Sequence, residues 1–288
     1  MTISEQSNPS SRSAWTLSGF GDEIDADPRV QIAVLKALGS THIEVRSAWD
    51  VNVVDLDDDQ LRELSDILVD AQMAVSAIGS PIGKVDVALD AELEVARLRR
   101  IIRVARALET PNIRIFSFYR HDDASAQSVR DDVLSRMRLL ATEAEKAGVT
   151  LLHENEKGIY GDTPERVLDI IESVGSSALR VAWDSANFVQ VGVRPFSDGY
   201  AMLRPHLEYL QVKDALMATG EVVPCGEGDG ELRETLTALR DDGYVGFASL
   251  EPHLNDAYAL GGFSGPGAFG IAARAFRRML DDLGIETV

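Results

Sequence analysis

Short apolar runs alternate with longer stretches in which apolar residues recur every three or four positions, and the alternation persists from Trp15 to the C-terminus. The short runs read as strands at Leu17–Phe20, His42–Arg46, Ala74–Ile78, Ile113–Phe118, Thr150–Glu154, Leu179–Asp184, Glu208–Lys213 and Phe247–Glu251. The longer stretches carry helical spacing. In Asp131–Ala147, residues Val133, Met137, Leu140 and Ala144 fall on one face, and Gly148 supplies a stop. Ala91–Leu108 ends before Pro111, Pro164–Ser173 has Thr163 as N-cap, and Gly267–Leu283 carries a stripe of Phe269, Ala273, Phe276 and Leu280. These stripes read as core packing.

Eight β/α repeats of similar length predict an α/β fold, a single (β/α)8 TIM barrel over residues 15–288. Parallel strands need helical crossovers, and closure removes both sheet edges. An open doubly wound sheet is the rival, but it would place a glycine-rich phosphate loop after its first strand. Here that position holds the acidic turn Phe20-Gly21-Asp22-Glu23. Residues 1–14, rich in serine and lacking a basic start or an apolar core, read as a disordered polar tail rather than a secretory signal.

Composition narrows the class further. A hydrophobic fraction of 45% with 26% charged residues fits a soluble globular chain, and no apolar run approaches the roughly 20 residues that span a bilayer. A net charge of −19 disfavours nucleic acid, and the basic stretch Arg97 to Arg106 has the spacing of a solvated helix face. The single cysteine, Cys225, agrees with a reducing cytoplasm and reads as an unreactive loop residue.

Active sites of such barrels lie at the C-terminal ends of strands, so polar residues that close an apolar run carry the information. The fifth strand closes in Leu151-Leu152-His153-Glu154-Asn155-Glu156 and the sixth in Val181-Ala182-Trp183-Asp184. The seventh closes in Tyr209-Leu210-Gln211-Val212-Lys213-Asp214 and the eighth in Ser249-Leu250-Glu251-Pro252-His253. One choice of parity points Glu154, Asp184, Gln211 and Glu251 inward and sends Leu151, His153, Trp183, Leu210, Val212 and Leu250 toward the helices. His153 then reads as a satisfied packing histidine.

Three carboxylates meeting at one mouth repel one another unless a cation intervenes. An all-oxygen donor set suits Mn²⁺ or Mg²⁺ better than Co²⁺ or Zn²⁺. Ordinary surface carboxylates at strand ends are the plainer alternative.

The chain resembles the xylose isomerase-like barrel superfamily, in its sugar-phosphate isomerase/epimerase branch. The carriers are Gly19-Phe20-Gly21-Asp22-Glu23-Ile24, Ile43-Glu44-Val45-Arg46, Gly79-Ser80-Pro81-Ile82-Gly83-Lys84, Glu154-Asn155-Glu156, Trp183-Asp184-Ser185-Ala186-Asn187-Phe188, Gln211-Val212-Lys213-Asp214-Ala215, Gly226-Glu227-Gly228-Asp229-Gly230 and Leu250-Glu251-Pro252-His253. The resemblance implies a metal held by Glu154, Asp184, residue 211 and Glu251. Gln211 stands where the family usually has histidine, a departure shared with some dehydratases of the superfamily.

The implied activity is isomerisation or epimerisation of a ketose, sugar phosphate or related polyol carbonyl compound through an enediolate, with Glu154 and Glu251 as acid/base pair. A lyase that dehydrates an inosose-like cyclic hydroxy-ketone and a non-catalytic sugar-binding or partner subunit are the alternatives. Substrate contacts are expected from Lys213, Asn187, Arg46, Glu44 and His253, with Tyr119, Arg120 and His121 on the rim. Each has a plain reading beside it: Lys213 paired with Asp214, Asn187 as a helix or turn cap, Glu44 paired with Arg46, and His253 carried out of the strand by Pro252. Glu156 is a substitute for Glu154 as ligand. The resemblance also implies a homodimer or homotetramer; neither nucleic acid nor membrane is expected as partner.

Overall fold

A computed structural model describes residues 14–120, 124–254 and 264–288. The expected tail and His121 lie outside them, apart from Ala14. Eight strands form one parallel sheet: β1 (Thr16–Gly19), β2 (His42–Val45), β3 (Ala74–Gly79), β4 (Asn112–Ile115), β5 (Thr150–Glu154), β6 (Leu179–Asp184), β7 (Leu207–Val212) and β8 (Phe247–Leu250). They follow one another in chain order and β8 returns to pair with β1. A parallel bridge between Phe20 and Glu44 joins β1 to β2 and closes the barrel.

Helices cover the outside: α1 (Pro28–Ala37), α2 (Asp58–Asp70), α3 (Ala91–Ala107), α4 (Ala126–Ala147), α5 (Pro164–Val174), α6 (Ser185–Val189), α7 (Leu232–Asp241) and α8 (Gly265–Leu283). Their ends follow local chemistry. Asp57 accepts from the Asp59 and Gln60 amides while Gln60 caps in return, and Gly148 takes a left-handed φ of 68° that stops α4. Thr163 precedes α5 but makes no side-chain cap, leaving the start to Pro164. Among the described residues no helix is long and apolar enough to cross a membrane.

The parity expected from the sequence holds. Ala77, Leu152, Ala182 and Tyr209, with Phe247 against them, fill the barrel interior. Leu151, Trp183, Leu210, Val212 and Leu250 join the larger core between strands and helices. Each such buried Leu contributes about 2 kcal/mol of burial free energy. The fourth strand is shorter than its apolar run suggested. Past Ile115 the backbone turns to the loop after β3, with the Phe116 amide on the Ile82 carbonyl at 2.8 Å and the Phe118 amide on that of Gly83 at 2.9 Å.

His153 faces the helices as expected, but it is not satisfied. It is fully buried, neither ring nitrogen finds a partner among the described residues, and burial pushes its pKa down to about 3. The unfolded state therefore binds the extra proton between pH of about 6.5 and 3. Stability from the neutral ring is complete above that window and falls with pH by up to about 1.4 kcal/mol per unit inside it. Urea unfolding at pH 7, 6 and 5 is expected to show the stability of the wild type relative to His153→Leu shrinking as pH falls. A constant difference contradicts the burial argument.

Candidate functional site

Residues of β1, β2, β3, β7 and β8 build a polar column under the barrel mouth. Ser18 and Ser76 share a hydroxyl hydrogen bond of 2.6 Å, and Ser76 meets the Tyr209 hydroxyl at 2.8 Å. Tyr209 and Ser249 donate to Glu44 Oε2 at 2.9 and 2.7 Å. Burial pushes the Glu44 carboxyl up to about 8, against the opposing pull of Arg114 and Ser249. Glu44 is thus neutral at pH 7 and part of the floor. It forms no ion pair with Arg46, whose partners are Asp22, Glu23 and Glu251, which corrects the pairing expected from their spacing.

Above this floor the strand-end residues converge. One oxygen each from Glu154, Asp184 and Glu251 lies within 4.8 Å of the others. Asp184 and Gln211 are register partners across β6 and β7, so their side chains stand together on the inner face. Gln211 donates weakly to Glu44 Oε1 at 3.5 Å, while its own Oε1 is buried and has no partner among the described residues. Asp184 opens α6 as its N-cap, accepting from the Asn187 amide at 2.9 Å.

Three cations thread this acid cluster and a fourth, Lys84, stands beside it. Arg114 donates to Glu154 Oε2 at 2.9 Å. The Lys213 ammonium lies 2.9 Å from Glu251 Oε2 and 2.8 Å from Asp184 Oδ2, the latter an ion pair without hydrogen-bond geometry. Arg46 spends all three nitrogens: Nε on Asp22 at 2.7 Å, Nη1 on Glu251 at 2.8 Å and Nη2 on Glu23 at 2.9 Å. Lys84 reaches Glu156 at 3.1 Å. Burial raises Asp184 to about 7, with Lys213 opposing and Glu154 and Glu251 adding to the rise. Burial also raises Glu154. It acts the same way on Glu251, but Lys213, His253 and Arg46 hold that carboxyl well below the usual range.

Several expected substrate contacts are already committed. Lys213 turns to Asp184 and Glu251, not to Asp214. Asn187 is no cap; it donates to Glu154 Oε1 at 3.0 Å and to the Asn155 carbonyl at 2.9 Å. Glu156 stands outside the cluster, on Lys84. His253 has a left-handed φ of 42°, yet its Nε2 stays 3.1 Å from Glu251 and 3.2 Å from Glu23. Tyr119 is exposed, and Arg120 reaches Asp162 at 3.4 Å. Cys225 is buried against Met279, with burial raising its thiol pKa. Sequence reasoning passed over Arg114, Asp22 and Glu23 as members of the site. The signal for Arg114 was a charged residue at an inward position inside the apolar run Ile113-Arg114-Ile115.

The donor set fits a divalent cation. Six carboxylates of the mouth, Asp22, Glu23, Glu154, Glu156, Asp184 and Glu251, face four cations, Arg46, Lys84, Arg114 and Lys213, before His253 is counted. With all six ionised, two positive charges are short, and the partnerless Gln211 Oε1 adds a neutral oxygen donor.

The profile of the xylose isomerase-like TIM barrel family matches residues 32–279. The chain belongs to that family. A curated relative, the 2-epi-5-epi-valiolone 7-phosphate 2-epimerase of an Actinoplanes species, is 31% identical over 143 residues, 50% of this chain and 51% of the relative. The chain thus spans about half the length of the curated relative it matches. Among solved structures, a D-tagatose 3-epimerase-like protein superposes with a TM-score of 0.76 at 16% identity, covering 93% of this chain and 98% of that one. A xylose isomerase-like TIM barrel protein from Mycobacterium smegmatis in complex with magnesium gives 0.67 at 20%, covering 94% and 97%. These two similarities show the fold.

The motif Gly226-Glu227-Gly228-Asp229-Gly230 is organised by Asp214. Its carboxylate accepts from the amides of Gly226 at 2.8 Å, Gly228 at 3.1 Å, Gly230 at 2.9 Å and Ala215 at 2.9 Å. Asp214→Asn keeps the shape but turns a donor toward donors. It is expected to cost about 1–3 kcal/mol locally, read as faster amide hydrogen exchange at the three glycines. Unchanged protection contradicts the role.

Proposed function

We propose that the protein is a divalent-metal-dependent isomerase or epimerase acting on a keto-sugar or related polyol carbonyl compound by proton transfer at the carbon next to the carbonyl. The observation that carries this reading is the convergence of Glu154, Asp184 and Glu251 beside the partnerless Gln211 Oε1. Glu154, Asp184, Gln211 and Glu251 would hold the ion, and an all-oxygen set favours Mn²⁺ or Mg²⁺. When bound, the ion supplies Lewis-acid polarisation of a carbonyl oxygen.

The side chains supply the rest. Glu154 is steadied by Arg114 and Asn187, and Glu251 by Arg46 and Lys213. Each has a fixed orientation from which an oxygen can take or return a proton at a bound α-carbon. Burial of both excludes the water that would otherwise compete. Lys213, at 7% exposure between two of the carboxylates, is placed to meet negative charge developing on substrate oxygen. Gln211, in the position of the family's usual histidine, favours a second reading in which the same α-proton abstraction is followed by loss of a β-hydroxyl. The single cysteine supports a reducing, cytoplasmic setting.

Chelator-stripped protein reloaded with Mn²⁺ is expected to exchange the α-proton of keto-sugars or inososes in D₂O, followed by NMR. Glu251→Gln is expected to lower the rate by about 10²–10⁴-fold. A stereochemically altered product marks the epimerase, and an enone chromophore marks the dehydratase. Full exchange in the variant, or none in the metal-loaded wild type across the panel, overturns the reading.

A further inference from the structure

The barrel fold offers two ready places for a substrate phosphate: the loop after the seventh strand and the loop and helix start after the eighth. In this chain the protein's own carboxylates take up both. After β7, the glycine amides of Gly226, Gly228 and Gly230, a natural anion nest, all point at Asp214. After β8, Ser264 at the start of α8 gives its amide to Glu23 Oε2 at 3.3 Å and its hydroxyl to the same oxygen at 2.8 Å.

The cations of the mouth are committed in the same way. Arg46 is saturated by Asp22, Glu23 and Glu251, while Arg114 and Lys213 are buried on Glu154, Asp184 and Glu251. Lys84 is the most exposed of the four, its side chain 34% accessible over the Phe116 ring, and Glu156 neutralises it.

We infer that the pocket takes an uncharged keto-polyol and rejects its phosphorylated counterpart, because internal carboxylates already occupy the phosphate cradles and, among the described residues, Arg46, Lys84, Arg114 and Lys213 at the barrel mouth. This rests on the keto-polyol reading above and names its substrate class. Glu156 is then a specificity-determining residue, since a phosphate monoester with a charge near −2 meets it before it meets a free cation.

Calorimetric titration of the Mn²⁺-loaded protein with matched pairs, such as D-fructose with D-fructose 6-phosphate and an inosose with its monophosphate, tests this. The free compound of a pair is expected to bind at least about tenfold more tightly. Glu156→Gln, which releases the Lys84 ammonium, is expected to narrow that ratio, and adding Lys84→Met to it is expected to restore the ratio. Tighter binding of a monophosphate by the wild type overturns the inference, as does a panel in which nothing binds. α-Proton exchange on the same samples separates the two claims. Preferential exchange of the monophosphates sinks the substrate class alone, and binding of the free compound without exchange sinks the proton-transfer reading alone.

Discussion

Carboxylates gathered in a place that water hardly reaches repel one another and lose their hydration, and the mouth of this barrel is arranged around that cost. Desolvating one such ion costs several kcal/mol even after relaxation, and buried ion pairs return that energy only in part. Arg46, Arg114 and Lys213 are therefore better understood as positioning devices than as sources of stability. They hold Glu154, Asp184 and Glu251 in mutual proximity that the free carboxylates would avoid. The remaining shortfall of two charges is what suits the crowded acid cluster to the divalent ion proposed for it.

The layers beneath answer to the same constraint. Glu44 stays on the inner face because burial keeps it protonated against the pull of Arg114 and its two hydroxyl donors, so it adds no charge to those above. Its Oε1 faces the Gln211 amide nitrogen, leaving the Gln211 oxygen without a donor. Beside Tyr209 of the polar column, Leu152 and Ala182 return the interior to apolar packing, two residues before Glu154 and Asp184 on their strands, so chemistry and core are separated within a few ångströms of backbone rise.

Much of this was legible in the order of residues. Period-two runs separated by helical stretches specify eight parallel strands, and one parity assignment places Glu154, Asp184, Gln211 and Glu251 on a common face. The partners of those residues were not legible. Arg46 and Glu251 are 205 positions apart, and Tyr209 and Glu44 are 165 apart; only closure of the barrel brings them together. Local spacing favoured Glu44 with Arg46 and Lys213 with Asp214. In both cases the nearer residue lost because a buried charge settles where several partners converge, and Asp214 had four amides to itself. His153 misled in another way: its outward direction was readable, but whether its nitrogens find partners depends on what packs over it.

In the proposed function, three carboxylates and one amide oxygen hold a single divalent ion. Titration of chelator-stripped protein with Mn²⁺, followed by calorimetry and by the paramagnetic resonance of the free ion, tests it most directly when wild type and Gln211→Leu are compared. One bound ion per chain is expected, and for the variant an affinity weaker by about 10–100-fold with the fold retained. Absence of binding by the wild type, or equal affinity in the variant, would contradict it.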